Sequence, residues 1–469
     1  MLIVDLDKTL IKSDYLLESF VCYYSQNIFA PFISLFIYLN EGKVGLKKFL
    51  YKKTDISVSN LPFNHNVLDA IQDWKKENPN DKVFLISATY HEAIESIAKH
   101  INCFDGWFGT DNENLKSEIK LKKIKELTND KAFTYIGDSS ADLVIWKNAK
   151  KCILVNPTQG LISKVKKINN SIAVIENKDT NTLLEILKAI RVHQWVKNLL
   201  LFVPAILALK PFFSLVENLV SGFLAFSFIA SAFYILNDLF DIENDRNHPS
   251  KKFRSFASGS LSIFQGFCIF CVLIIIAIMI SINLSQPFQL CLFLYAFSTF
   301  TYSKYLKKIP ILDIFTLTSF YIFRLVTGGV LAGITISNWL LTFSAFFFLF
   351  LAAVKRWIEL KKLNSNLVSG RGYQISDISF VSNLSYFSGL ISILVICLYI
   401  ESQQAQALYG QTTLLWFIPV ILLYWVLETL FKVERGDIDD DPVKYALKSK
   451  TSYISLFGFA VIALIAATI

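Results

Sequence analysis

Residues 219–246 read LVSGFLAFSFIASAFYILNDLFDIENDR, and this stretch decides the fold of the larger part of the chain. Its first part, 219–236, carries no charge and has the length that crosses a bilayer core of about 30 Å. It runs directly into Asn237-Asp238-Leu239-Phe240-Asp241-Ile242-Glu243-Asn244-Asp245-Arg246. Acidic side chains at a membrane boundary are costly to place and tend to mark function. Asn237, Asp241 and Asp245 are spaced by four, so a helix stacks them on one face, and Asp238 lies close enough to join Asn237 and Asp241 around Mg²⁺. That ion favours carboxylates together with the phosphate oxygens of a substrate. The cluster therefore has the chemistry of a diphosphate site; a solvated helix end is the plainer alternative.

Outward from this point the chain divides. Hydrophobic residues make up 53% of it, with 41 Phe, and the excess falls in residues 197–469. We expect nine spans there: 198–214, 219–236, 265–283, 288–303, 311–333, 338–355, 379–400, 412–431 and 451–469. The loops on one side carry Arg246, Lys251, Lys252, Arg254, Lys304, Lys307, Lys308, Lys355, Arg356, Lys361, Lys362, Arg371, Lys432, Arg435, Lys444, Lys448 and Lys450. The other side carries Lys210. Basic loops stay in the cytoplasm, which puts the acidic motif there and the C-terminus outside. The same topology accounts for the net charge of +8 without nucleic acid. Cys268 and Cys271 lie in an apolar helix and read as small core residues, and the seven cysteines suggest no disulfide framework.

Further cations follow the acidic motif. His248-Pro249-Ser250-Lys251-Lys252-Phe253-Arg254 can bind phosphate oxygens. A second cluster, Tyr302-Ser303-Lys304-Tyr305-Leu306-Lys307, leads to Asp313 at the mouth of the next span. Arg324, about three turns further in, demands an acidic or phosphate partner. Lys355, Arg356 and Glu359 end the sixth span.

Residues 1–157 have a different character. Short apolar runs at 2–6, 83–87, 133–137 and 152–155 alternate with helical segments near 66–78, 90–101 and 117–128, the pattern of a doubly wound α/β domain. The chain opens on the first strand without a basic leader, so its start is expected in the cytoplasm. Residues 14–60 interrupt the alternation as a helical cap, whose apolar stretch 20–39 we expect to rest on the bilayer surface. Asp5-Leu6-Asp7-Lys8-Thr9 follows the first strand. Two carboxylates in this spacing can share one phosphate, one attacking phosphorus and one handling protons. Ser87 ends a strand and can donate to a phosphate oxygen. Lys120, preferred over Lys116 because Leu121 and Ile124 continue the helix from it, can neutralise charge. Gly137-Asp138-Ser139-Ser140-Ala141-Asp142 offers oxygens to Mg²⁺. Residues 158–196 read as a linker with an interfacial helix near 183–190.

The four N-terminal motifs together resemble the haloacid dehalogenase-like phosphatases. The resemblance implies Asp5 as nucleophile and Asp7 as general acid/base, with Mg²⁺ held by Asp5, the Asp7 carbonyl and Asp138, and Asp142 in support. A decayed phosphatase kept as a folded platform is the alternative. Over about 190–469, NDxxDxxxD resembles the UbiA superfamily, whose members use a diphosphate leaving group. The second acidic motif usual in aromatic prenyltransferases is incomplete, since Leu317 stands four after Asp313. Arg191-Val192-His193-Gln194-Trp195-Val196-Lys197-Asn198, the HPSKKFR run and Lys307…Asp313 look like the polyprenyl-phosphate phosphoribosyltransferase branch, with Val192 and Ser255 where Pro is usual.

The resemblance implies a Mg²⁺-dependent membrane enzyme that moves 5-phosphoribose from phosphoribosyl diphosphate to a polyprenyl phosphate. Asp238 and Asp241 would be central. Asn237, Asp245 and Asp313 would assist with metal, and Lys197, Lys251, Lys252, Arg254, Tyr302, Lys307, Arg324, Lys355 and Arg356 would bind phosphates. Prenyl transfer to a small acceptor is the rival within enzymes. A scaffold or transporter with a phosphate-sensing head is the rival outside them. Lipid length and oligomeric state are not written in the residues.

Overall fold

The computed structural model describes residues 1–176, 181–208, 212–362, 372–438 and 442–468. Lys210 and Arg371, both used above for topology, lie outside the described residues. The chain forms two compact units. One comprises Met1–Arg191 with Tyr234–Cys271, and the other Val192–Phe233 with Val272–Ile469.

The first unit is built on a six-stranded parallel sheet. Its elements are β1 (Leu2–Val4), α1 (Tyr15–Gln26), α2 (Ala30–Lys53), α3 (His65–Glu77), β2 (Val83–Tyr90), α4 (His91–Ile101), β3 (Gly106–Thr110), α5 (Glu118–Thr128), β4 (Thr134–Gly137), α6 (Leu143–Asn148), β5 (Lys151–Val155), α7 (Gln159–Lys166), β6 (Ile172–Ile175) and α8 (Thr182–Ile190). The strand order is β3-β2-β1-β4-β5-β6, with Leu2 opposite Val83 on one side and Thr134 on the other. Order reverses beside β1, so Asp5, just past its end, lies at the switch point where open α/β sheets bind ligands. Strands buried on both faces read as continuous apolar runs, and Leu2, Ile3, Val4, Leu85 and Ile136 are fully buried.

One expectation for this unit needs correction. β6 pairs with β5 from Cys152–Ile172 to Val155–Ile175. The sheet thus runs past residue 157 into the segment expected to be a linker. The interruption after β1 is helical, as expected: it is the pair α1 and α2, and α2 is bent at Gly42, whose φ of 66° is left-handed. Phe29, Phe32, Leu35, Phe36 and Leu39 remain exposed on this pair.

The remaining elements are α9 (Val203–Leu207), α10 (Phe212–Phe240), α11 (Ile242–Arg246), α12 (Ile263–Ser281), α13 (Gln286–Lys304), α14 (Leu312–Ala332), α15 (Asn338–Lys361), α16 (Ile378–Ile400), α17 (Gln403–Leu408), α18 (Phe417–Arg435), α19 (Pro442–Lys448) and α20 (Lys450–Thr468). Among the described residues, seven helices are long and apolar enough to cross a membrane, where nine spans were expected. Of the expected span 198–214, residues 209–211 lie outside the described residues, and 198–207 fall in a tight 3₁₀ segment, Val192–Phe202, followed by short α9 with Pro204 in its first turn. The helix expected at 288–303 exists as α13, but Gln289, Ser298, Thr299, Thr301 and Tyr302 make it less apolar than the seven. Cys268 and Cys271 are exposed on α12 rather than packed in a core.

Candidate functional sites

The N-terminal site is assembled by the sheet. The Asp5 N–H donates to the Ile136 carbonyl at 3.0 Å, a ladder-like bond that fixes the start of the loop. A tight turn over Leu6–Leu10 follows, with Lys8 in the left-handed region at φ 56°. The turn brings Asp7 back beside β2. There Thr89 Oγ1 donates to Asp7 Oδ2 at 2.7 Å, Ser87 Oγ lies 3.5 Å from the same oxygen, and the Tyr15 N–H donates to Oδ1 at 2.7 Å. Lys120, from α5, places Nζ 2.9 Å from Asp5 Oδ1 and 3.9 Å from Asp142 Oδ1. It also donates to the Tyr135 hydroxyl at 2.7 Å, which in turn donates to Asp142 at 2.9 Å. Lys120, not Lys116, is thus the cation against the carboxylates.

Asp5, Asp138 and Asp142 each offer an oxygen, and these oxygens lie within 4.8 Å of one another. Hard oxygen donors at this spacing suit Mg²⁺. The site also shows the electrostatic strain that a cation relieves. Burial, then repulsion from Asp5 and Asp142, pushes the Asp138 carboxyl up to about 8. Burial, then Asp14, pushes Asp7 up to about 7. A cavity of about 230 Å³ opens onto these groups, and Lys43, Lys47 and Lys116 also line it. Lys47 reaches in from α2. Its ammonium donates to the Ala88 carbonyl and, at 2.7 Å, to Asn114 Oδ1. Thr89, Tyr135 and Lys47 were not singled out from sequence, because nothing in their local pattern marks them.

The acidic motif forms a second centre in the same compact unit. The Asp241 N–H donates to the Asn237 carbonyl at 2.9 Å and the Asp245 N–H to the Asp241 carbonyl at 2.7 Å. The helical path therefore continues almost unbroken through the motif and stacks Asn237, Asp241 and Asp245. Asn237 Nδ2 donates to Asp241 Oδ2 at 3.1 Å. Asp238 is buried and takes hydrogen bonds from Arg191 and, at 3.0 Å, from Arg254. Arg254 also bonds Asp245 Oδ2 at 2.7 Å. Two of the motif carboxylates are thus bridged by arginine. Among the described residues, only the Asp5 group has three metal-ligating acids gathered within 4.8 Å. Arg191 was visible in sequence as part of a resemblance run but was not assigned a role.

Two ties hold this segment to the α/β layer of the unit. Arg246 grips Glu18 of α1 with both terminal nitrogens, at 2.7 and 3.2 Å, and both side chains are buried. Ser255 Oγ donates to Glu185 Oε2 of α8 at 2.8 Å. Aromatic contacts of Tyr24 with Phe240 and Phe20 with Phe267 flank the ion pair.

In the other unit, Asp313 and Arg356 form a fully buried pair. Arg356 Nε lies 2.6 Å from Asp313 Oδ2, its NH2 donates to Oδ1 at 2.9 Å, and Glu359 also contacts Arg356. Tyr302 donates to Asp313 at 2.8 Å. Arg324 is buried too, but its partners are neutral: Asn198 Oδ1 at 2.8 Å, the Tyr295 hydroxyl at 2.8 Å and the Phe320 carbonyl. The rings of Phe226, Tyr295 and Tyr321 face its guanidinium. Among protein groups, the expected acidic partner is thus replaced by an amide, phenol and aromatic cage. Lys307, six residues before Asp313, is buried, and Lys197, Lys251, Lys252 and Lys355 fall in or beside the 3₁₀ segment, the 250s loop and α15.

Comparison with known proteins places these centres in a family. Over 461 residues the chain is 33% identical to an uncharacterised protein, y4nM, of Sinorhizobium fredii, covering 96% of this chain and 88% of that one. It is 31% identical to the nodulation protein NoeC of Azorhizobium caulinodans, over 58% of this chain and 90% of the relative. Decaprenyl-phosphate phosphoribosyltransferase of Mycobacterium tuberculosis is 27% identical over 63% of this chain and 98% of its own length. Residues 199–429 match the UbiA prenyltransferase family. With an acidic motif at the end of an apolar helix and several helices able to span a bilayer, the chain is an integral membrane protein whose membrane domain, over residues 199–429, belongs to the UbiA prenyltransferase family.

Proposed function

We propose that the membrane part transfers 5-phosphoribose from phosphoribosyl diphosphate to a polyprenyl phosphate. The observation that carries this reading is the similarity to decaprenyl-phosphate phosphoribosyltransferase over nearly the whole of that relative. The oxygens of Asn237, Asp238, Asp241 and Asp245 suit Mg²⁺, which when bound supplies charge compensation for a diphosphate. In this reading a phosphate oxygen of the acceptor bonds to C1 of the ribose, and the C1–O bond breaks with its electron pair leaving on diphosphate. The acceptor is already anionic, so the protein needs no strong base. Arg191 and Arg254, now on Asp238 and Asp245, are positioned to exchange carboxylate for phosphate oxygens, and positioning and charge stabilisation supply the rate.

The N-terminal domain, in our reading, hydrolyses a phosphate monoester, with the 5-phosphate of the lipid product as its substrate. Asp5 attacks phosphorus, and the ester oxygen leaves with a proton from Asp7. Water, deprotonated by Asp7, then releases phosphate from Asp5. A carboxyl held near neutral acidity suits Asp7 for both proton transfers. Both sites work on the cytoplasmic side in this account. The exposed apolar residues of α1–α2, together with Leu183, Leu184 and Leu187 of α8, rest against the bilayer surface.

A second reading, prenyl transfer from a polyprenyl diphosphate to a small acceptor, is favoured by the activity for which the matched family is described. The two are separated by offering membranes containing the protein either phosphoribosyl diphosphate with polyprenyl phosphate, or polyprenyl diphosphate with aromatic acids. Mass spectrometry of the lipid fraction then identifies the product.

A further inference from the structure

Five aspartates and Lys120 account for the chemistry of the N-terminal cavity, yet Lys43, Lys47 and Lys116 line it as well, besides Lys8 of the motif turn. Lys43 and Lys47 are four residues apart on α2 and share a helix face. The left-handed Gly42 bends α2 immediately before them. Lys116 comes from the loop preceding α5. Lys43 and Lys116 are both close enough to repel the Lys47 ammonium, while Asp7 lies near enough to attract it. The lysines therefore converge beside the reacting carboxylates rather than spreading into solvent.

Asp7 and Asp14 share the cavity, but none of the three ammoniums is hydrogen-bonded or ion-paired to a carboxylate among the described residues. Lys47 is buried, and its two hydrogen-bond acceptors, the Ala88 carbonyl and the Asn114 amide oxygen, are neutral. An ammonium has three donors, so one remains for a ligand. Lys43 and Lys116 are exposed and form no ion pair among the described residues. Holding like charges together is unfavourable unless an anion joins them.

We infer that Lys43, Lys47 and Lys116 form a subsite for a second anionic group, so that the N-terminal site takes phosphate monoesters that carry another phosphate a few bonds away. This rests on the reading of the domain as a phosphate monoesterase. A 5-phosphoribosyl lipid has this chemistry, with a monoester at C5 and a phosphodiester at C1. A free sugar bisphosphate shares it.

The test uses the purified full-length protein in detergent with Mg²⁺. Phosphate release is measured from ribose 5-phosphate, from ribose 1,5-bisphosphate and from a short-chain polyprenyl phosphoribose. The doubly anionic substrates should be preferred in kcat/KM by about tenfold or more. Lys43→Gln and Lys47→Gln should each erode that preference by about five- to tenfold, mainly through KM. Preference for the lipid over the bisphosphate identifies the lipid as the source of the second anion, and the reverse identifies a soluble ester. Equal loss on all three substrates, or no preference in the unmodified protein, overturns the subsite. Because Lys47 is buried, exposed Lys43 keeps the test valid if Lys47→Gln fails to fold. If no ester is hydrolysed, the monoesterase reading fails separately. Binding of the bisphosphate and of ribose 5-phosphate to the Asp5→Asn protein, measured by calorimetry, then still reports the subsite: tighter binding of the bisphosphate that Lys43→Gln abolishes supports it, and equal affinities overturn it.

Discussion

Glu18→Gln and Arg246→Gln test the buried ion pair that joins α1 to the end of the acidic motif. The side chains are 5% and 8% exposed, and the guanidinium meets both carboxylate oxygens. Removing one partner strands the other's charge where water hardly reaches, which costs about 3–5 kcal/mol. Arg246 also donates through Nε to the Ala257 carbonyl at 3.0 Å. Its loss should therefore cost about 1 kcal/mol more than the loss of Glu18. The double change Glu18→Met with Arg246→Met removes both charges and should cost well below the sum of the single effects. The assay is pulse proteolysis of the full-length protein in detergent across a urea gradient, following the fragment that contains α1. Transfer activity should fall in Glu18→Gln as well, because Arg246 directly follows Asp245 and loses its anchor. Single effects below about 1 kcal/mol that simply add would match an exposed pair and would refute this reasoning.

Other outcomes follow from the two centres. Asp238→Asn and Asp241→Asn should each lower transfer by about a hundredfold or more at saturating Mg²⁺ without changing membrane insertion, as charge compensation at the diphosphate is lost; unchanged turnover in either purified variant would remove the motif from the reaction. Asp5→Asn should abolish phosphate release while sparing transfer, checked by assaying both steps on one preparation. Mg²⁺ should raise the melting temperature of the α/β domain more at about pH 8.5 than at about pH 6. Burial raises Asp138 to about 8 and Asp7 to about 7, above their unfolded values near 4. The metal-free fold therefore holds protons that the unfolded chain has released, and its stability falls as pH rises through that window. Mg²⁺ replaces those protons, so its effect grows with pH; a pH-independent shift would contradict the assignment.

The parallel core was legible because β1, β2, β4 and β5 each hold a short apolar run, at 2–4, 83–86, 135–136 and 152–155. β3 was missed because Gly-Trp-Phe-Gly-Thr is not such a run, and β6 because Ile172–Ile175 is a four-residue strand inside a segment that otherwise reads as a tether. The motif carboxylates announced themselves by spacing. Their long-range partners did not: Glu18 meets Arg246 across 228 residues of chain, and Lys47 meets Asn114 across 67. Arg324 shows the limit of a charge argument made from sequence. A buried guanidinium needs acceptors and polarisable surface, and an amide, a phenol and three rings supply them here without an acidic side chain.

The most direct test of the account offers the purified, reconstituted protein phosphoribosyl diphosphate, polyprenyl phosphate and Mg²⁺ and follows the lipids over time by mass spectrometry. The account predicts a 5-phosphoribosyl lipid that forms first and is converted to the dephosphorylated ribosyl lipid, with Asp5→Asn stopping at the first product. Absence of any pentosylated lipid, with prenyl transfer to an aromatic acid under matched conditions, would contradict it.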